Sequence, residues 1–131
     1  MEMFELLAQS GVVANLKASS KKQALQELSQ QAAALTGLHE RVIFDVLLQR
    51  EKLGTTGIGR GIAIPHGKMQ ELERLHGIFA RLPKPIEFDA IDEQPVDLIF
   101  LLLAPESAAA DLLKALARIS RLLRDDNVCA K

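Results

Sequence analysis

Apolar positions recur at helical spacing in three stretches of the chain. After Ser20, the residues Ala24, Leu25, Leu28, Ala32 and Leu35 fall on one helical face. Ser20 offers an N-cap hydroxyl, and Gln23 stands three residues later, the spacing of a capping box. Gly37 is placed to end that helix. Val42, Ile43, Val46, Leu47 and Leu53 form a second stripe, which predicts a helix from about His39 to Leu53 with Gly54 just past its end. Leu112, Leu113, Leu116, Ile119 and Leu123 predict a third, from Asp111 to Leu123. Phe4 to Ala8 reads as a short helical turn.

The strand signals lie between these helices. Val12 to Lys17, Ile62 to Ile64 and Gly77 to Leu82 are candidates, and Pro65 halts the second. Val96 to Leu103 is the strongest: an apolar run interrupted only by Asp97, as expected of a strand covered on both faces. Interspersed helices and strands predict one sheet flanked by helices. Periodicity leaves parallel and antiparallel pairing open.

The length of 131 residues predicts a single domain over 1–131. Sixteen Lys and Arg against 17 Asp and Glu give a net charge of −1, so a cationic nucleic-acid face is disfavoured. Trp and Tyr are absent, which leaves little for base stacking. The one cysteine, Cys129, cannot make an internal disulfide, and a reducing compartment fits best. The longest apolar run, Leu98 to Ala104, is far short of a membrane span, so no membrane insertion is expected. The opening Met-Glu-Met-Phe-Glu carries acid where a signal peptide carries base. A soluble, cytoplasmic protein is expected.

Chemistry concentrates where Gly54, Gly57, Gly59, Gly61 and Gly67 fall within fourteen consecutive positions. The stretch is no P-loop, because no Gly-Lys-Ser/Thr enters a helix. It is no dinucleotide fingerprint either, because a G-x-G-x-G pattern leads into Ile62-Ala63-Ile64 rather than a helix. Glycines let backbone amides approach a phosphate, and Thr55 and Thr56 can add hydroxyl donors. Arg50 can pair with phosphoryl oxygens, or simply complement the dipole at its helix end. His66 stands between Pro65 and Gly67 with open space beside its ring. A neutral imidazole is a good nucleophile near pH 7. The pattern predicts a phosphoryl-accepting histidine, His66, with Arg50 beside it and Thr55, Thr56, Gly57, Gly59 and Gly67 as phosphate-binding candidates.

The run from Gly54 to Lys68, with Pro65-His66-Gly67 at its end, resembles the signature of enzyme IIA of the fructose/mannitol class in the bacterial phosphoenolpyruvate-dependent phosphotransferase system. Ser20 to Leu25, Pro85 to Asp92 and Gln94 to Leu98 also resemble its nitrogen-regulatory branch. The resemblance covers nearly the whole chain. It implies an α/β (α+β) fold with a single mixed sheet flanked by helices. It implies that His66 accepts the phosphoryl group through Nε2, with Arg50 beside it and Thr56 and the glycines forming a wall. The implied donor is a phosphorylated HPr-type carrier protein. The implied outputs are regulatory targets, a transporter or a sensor, read through phosphorylation state. Leu112 stands where the family places a second histidine. The chain ends soon after Asp125 to Cys129, where the family continues, which points to a truncated C-terminus.

Two other functions are consistent with the same residues. One is a regulatory binding module in which transfer is vestigial, motivated by Leu112. The other is a sugar-transport IIA that passes phosphate to a IIB domain. No cofactor is implied, and the three histidines lack metal-ligand spacing. Lys68 reads as solvated, and Asp89 and Asp92 as turn residues.

Overall fold

The computed structural model describes residues 11–13, 15–72 and 75–124. The expected turn over Phe4 to Ala8 and the segment Asp125 to Cys129 lie outside these residues. In chain order the elements are β1 (Gly11–Val13), α1 (Lys21–Thr36), α2 (Glu40–Lys52), β2 (Gly57–Gly59), β3 (Ile62–Ala63), β4 (His66–Met69), β5 (His76–Ile86), β6 (Val96–Pro105) and α3 (Ala109–Arg124). A 3₁₀ turn, Glu106–Ala108, leads into α3. No helix among the described residues is long and apolar enough to cross a membrane.

Local chemistry sets the helix ends. The Ser20 hydroxyl accepts from the Gln23 amide at 3.2 Å, as an N-cap should. The returning arm of the capping box lands one residue early, because Gln23 Oε1 accepts from the Ser19 amide at 2.8 Å. Gly37 closes α1 at φ +79, a left-handed conformation that glycine adopts without a Cβ penalty. At α2 the cap is His39, whose Nδ1 accepts from the Arg41 amide at 3.1 Å.

Six strands form one mixed sheet in the order β1-β5-β6-β3-β2, with β4 also pairing β6. β1 runs parallel to β5, β5 antiparallel to β6, and β3 antiparallel to β2. β3 and β4 both lie parallel to β6 and share one edge of it, pairing Ile62 with Leu98 and His66 with Leu102. Pro83 and Pro85 lie where the β5–β6 register lapses, between Arg81 and Ile86; proline brings no N–H to a ladder. β1 is shorter than the expected Val12 to Lys17.

From Leu98 onward β6 is apolar because it has helices on both sides. Ile99, Leu101 and Leu103 pack with Leu25, Leu28, Ile43 and Leu47 of α1 and α2. Phe100, Leu102 and Ala104 pack with Leu112, Ala115 and Ile119 of α3. Phe79 and Phe100 meet edge to face at 5.9 Å on this second face. The expected stripes are wider than the buried faces. Val42 is 46% exposed, Leu53 85% and Leu113 68%, while Leu123 lies beyond the described side chains.

Two segments differ from expectation because glycine hides strands from propensity. Gly57–Gly59 is a strand hairpinned onto β3, with Gly59 opposite Ile62. Its two-residue turn, Arg60-Gly61, has φ +58 and +79, the two positive values of a type I′ turn. After Ala63 the chain leaves β6 and returns at His66. The hairpin bonding carries one residue further, where the Ile64 amide donates to the Thr56 carbonyl at 3.0 Å.

Candidate functional site

Gly67 sets the distance between α2 and β4. A Cβ built there would lie 2.5 Å from Val46 Cγ1, so only glycine lets the helix come this close to the strand. Arg50 stands one turn beyond Val46, on the same helical face. His66 stands one residue before Gly67. The close approach therefore brings the guanidinium to the ring, and Arg50 Nε lies 3.0 Å from His66 Nε2. Arg50 Nη1 also donates to the Gly54 carbonyl at 2.9 Å, which holds the side chain across the helix end.

The other ring nitrogen, His66 Nδ1, lies 2.9 Å from the Ile64 carbonyl oxygen. That oxygen can only accept, and Arg50 Nε can only donate. The pair fixes the neutral ring as the Nδ1–H tautomer with its lone pair on Nε2. His66 is half-buried, and burial lowers its pKa from the usual 6.5. The Ile64 carbonyl acts in the opposite direction, Arg50 and Lys68 lower it further, and the carboxylate of Glu51 raises it. The net effect is a neutral, nucleophilic imidazole at neutral pH.

Two clefts meet at this ring. The larger, about 530 Å³, is walled by Val46, Arg50 and Leu53 of α2, by Gly67 and Lys68, and by Leu112, Leu113 and Leu116 of α3. The smaller, about 300 Å³, lies between Thr55, Thr56, Ile64 and Leu116. His66 and Arg50 line both. Leu112 is 4% exposed and turns an apolar wall toward the cleft.

The remaining candidates divide. Thr55, Thr56 and Gly67 stand at the clefts, whereas Gly57 and Gly59 line neither. The Thr55 hydroxyl donates to the Phe88 carbonyl and accepts from the Gly57 amide, each at 3.0 Å. Thr56 donates both its amide and its hydroxyl to Glu51. The donors of Thr55, Thr56 and Gly57 thus serve the protein's own loops. Gly57 admits Ala90, since a Cβ there would sit 2.9 Å from Ala90 Cα. Asp92 receives the Arg60 amide at 2.9 Å and the Gln94 amide at 3.1 Å, a clasp on the hairpin turn. No cluster among the described residues is arranged to hold a metal ion.

Lys68, expected to be solvated, is exposed and also lines the larger cleft. Sequence reasoning passed over one contributor. Glu51 is buried at 8% exposure, and its signal was its place on the Ile43–Leu47 stripe, where a carboxylate is out of character.

Comparison with known proteins fits this geometry. Residues 5–131 match the family described as "Phosphoenolpyruvate-dependent sugar phosphotransferase system, EIIA 2". A nitrogen regulatory protein of Bradyrhizobium diazoefficiens is 61% identical over 131 residues, spanning 100% of this chain and 86% of the relative. The crystal structure of nitrogen regulatory protein IIA-Ntr from Neisseria meningitidis has a TM-score of 0.86 at 36% identity, covering 91% of this chain and 82% of that one. Mannitol IIA of Escherichia coli shares the fold, with a TM-score of 0.67 at 20% identity over 82% of this chain and 78% of its own. With its curled mixed sheet between helical layers, this chain belongs to the EIIA 2 family of the phosphoenolpyruvate-dependent sugar phosphotransferase system.

Proposed function

We propose that the protein is a regulatory phosphohistidine relay, in which Nε2 of His66 takes a phosphoryl group from a phosphorylated HPr-type carrier. The observation that carries this reading is the bonding of the two ring nitrogens, with Nε2 on Arg50 at 3.0 Å and Nδ1 on Ile64 at 2.9 Å. A bond forms between Nε2 and phosphorus as the donor's P–N bond breaks, and the donor imidazole leaves with the electron pair. The proton stays on Nδ1 and is donated to the Ile64 carbonyl, which offsets the positive charge developing on the ring. Arg50 releases Nε2 and turns its donors to the phosphoryl oxygens. Of its five N–H groups, two are engaged here, one on His66 and one on Gly54. Lys68 adds positive charge at the cleft. Such a transfer is mostly positioning and electrostatics. The nitrogen regulatory names of the relatives support signalling through phosphorylation state, toward transporter or sensor targets.

Incubation with a phosphorylated HPr-type donor should place an acid-labile, base-stable label on the protein, one per chain. His66→Ala should take up none, and stoichiometric labelling of that variant would refute the assignment.

A second reading draws on the apolar walls. Leu53 and Leu113 are 85% and 68% exposed at the cleft rim, a surface suited to docking. As a binding module with vestigial transfer, the protein would bind its partner equally well with and without phosphate. Affinities measured in both states separate the readings. A IIA role that delivers phosphate to a IIB domain would use the same ring chemistry and is distinguished by label passing to IIB.

A further inference from the structure

Glu51 is adjacent to Arg50 on α2 but faces the interior, its side chain 4% exposed. A carboxylate buried this deeply needs partners. Both its oxygens accept from the Thr56 amide at 3.2 Å, and the Thr56 hydroxyl donates to it as well. Lys21 Nζ closes the set at 2.7 Å. That ammonium comes from the first turn of α1 and lies 5.0 Å above the Phe88 ring. One carboxylate therefore ties the start of α1, the end of α2 and the loop before β2.

Two routes lead from Glu51 to the imidazole, the first from its backbone carbonyl and the second from its carboxylate. On the first, the Glu51 carbonyl accepts from the Gly54 amide at 3.2 Å, and the Gly54 carbonyl receives Arg50 Nη1, whose Nε bonds His66 Nε2. On the second, Thr56, gripped by the carboxylate, offers its carbonyl to the Ile64 amide at 3.0 Å, and the Ile64 carbonyl meets His66 Nδ1. The second route runs across the β2–β3 hairpin, because Thr56 and Ile64 stand one residue beyond the paired Gly57 and Ala63. A leucine at position 51 would continue the apolar stripe, yet it would leave two Thr56 donors unpaired and Lys21 with only the longer contact to Asp89 at 3.7 Å.

We propose that Glu51 is the positioning residue of the site: its buried carboxylate holds Thr56 and the α2 terminus so that Arg50 and Ile64 fix both nitrogens of His66. This rests on His66 being the phosphoryl acceptor. Its role in setting the ring's tautomer, however, can be read without any transfer. Glu51→Gln keeps the shape, removes the charge and leaves one oxygen to accept.

The test uses the full chain labelled with ¹⁵N in its histidine rings. The unaltered protein should show a protonated Nδ1 and an unprotonated Nε2 for His66. Glu51→Gln should shift these signals toward a mixture of tautomers. It should also slow uptake from a phosphorylated HPr-type donor on the order of a hundredfold, the scale of a small misplacement of reacting groups, at unchanged final labelling. A folded Glu51→Gln with the original ring signals and rate overturns the proposal. Should that variant not fold, Thr56→Val removes one donor and keeps the amide; unchanged signals and rate in a folded Thr56→Val would likewise overturn it. If the unaltered protein takes up no label, the relay reading falls, while a tautomer shift in Glu51→Gln still upholds the positioning role.

Discussion

Arg50 Nε occupies the lone pair of His66 Nε2 at 3.0 Å, so in the proposed relay the residue that would stabilise the incoming group also covers the nucleophile beforehand. In that relay the guanidinium must move for the ring to react, and it has donors to spare when it does. Its neighbour, not its own backbone, holds it: the Gly54 carbonyl restrains Nη1 at 2.9 Å.

Removing that cation should harm transfer more than stability. Arg50→Ala is expected to slow phosphoryl uptake by about 10²–10³-fold, the usual loss when a charge-stabilising donor is deleted. Arg50 lowers the His66 pKa, so the variant's ring should titrate at higher pH. Rapid-quench labelling and NMR titration measure the two effects. Unchanged kinetics would remove Arg50 from the chemistry.

The pH dependence has a definite sign. His66 is depressed below 6.5 by burial in the folded chain, so the folded protein resists protonation that the unfolded chain accepts. Acidification through 6.5 toward the folded value therefore favours unfolding; above 6.5 both states are neutral and the effect vanishes. Chemical denaturation of His66→Gln between about pH 7.5 and about pH 5.5, one unit either side of an ordinary histidine, should show a shallower loss of stability than the parent. Uptake rate should hold a plateau above 6.5 and decline only on its acid side.

Gly67→Ala tests the close approach of helix and strand. The added methyl meets Val46 Cγ1 at 2.5 Å, so α2 must retreat. The expected cost is about 1–3 kcal/mol, with slower labelling because Arg50 is carried off the ring. Adding Val46→Ala should restore much of both, and a double-mutant cycle by denaturation would show the coupling. Strict additivity would disprove this account of Gly67.

Gly61→Ala probes the hairpin apart from the ring. At φ +79, with a Cβ 2.9 Å from Asp97 Oδ1, alanine is strained on two counts. A loss of about 1–2 kcal/mol is expected in denaturant melts. Labelling kinetics should change little, because neither Gly61 nor Arg60 lines the clefts.

Much of this was legible in the residues. Ser20 and Gly37 marked the limits of α1, because capping chemistry is local. The apolar run of β6 announced a strand with two covered faces. Pro65-His66-Gly67 marked an unusual backbone around an imidazole. What sequence hid was nonlocal. β2 consists of Ile58 between Gly57 and Gly59, two residues that disfavour strands, and only pairing with β3 makes them a strand. The glycines looked like a cradle for an anion, but Gly57 and Gly67 make room for Ala90 and Val46, neighbours distant in the chain. The outward turn of Leu53 and Leu113 depends on where each helix rests, which a stripe alone does not tell.

Pro65 leaves a seam in the molecule. At that break, the sheet's rim, the helix carrying Arg50 and the helix carrying Leu112 come together around one ring. Any protein that reaches Nε2 must straddle the seam and touch both helical layers in a single footprint. In the proposed relay a visitor's grip and the ring's charge would be felt at the same spot, so whether phosphorus is present would be read by whatever sits there.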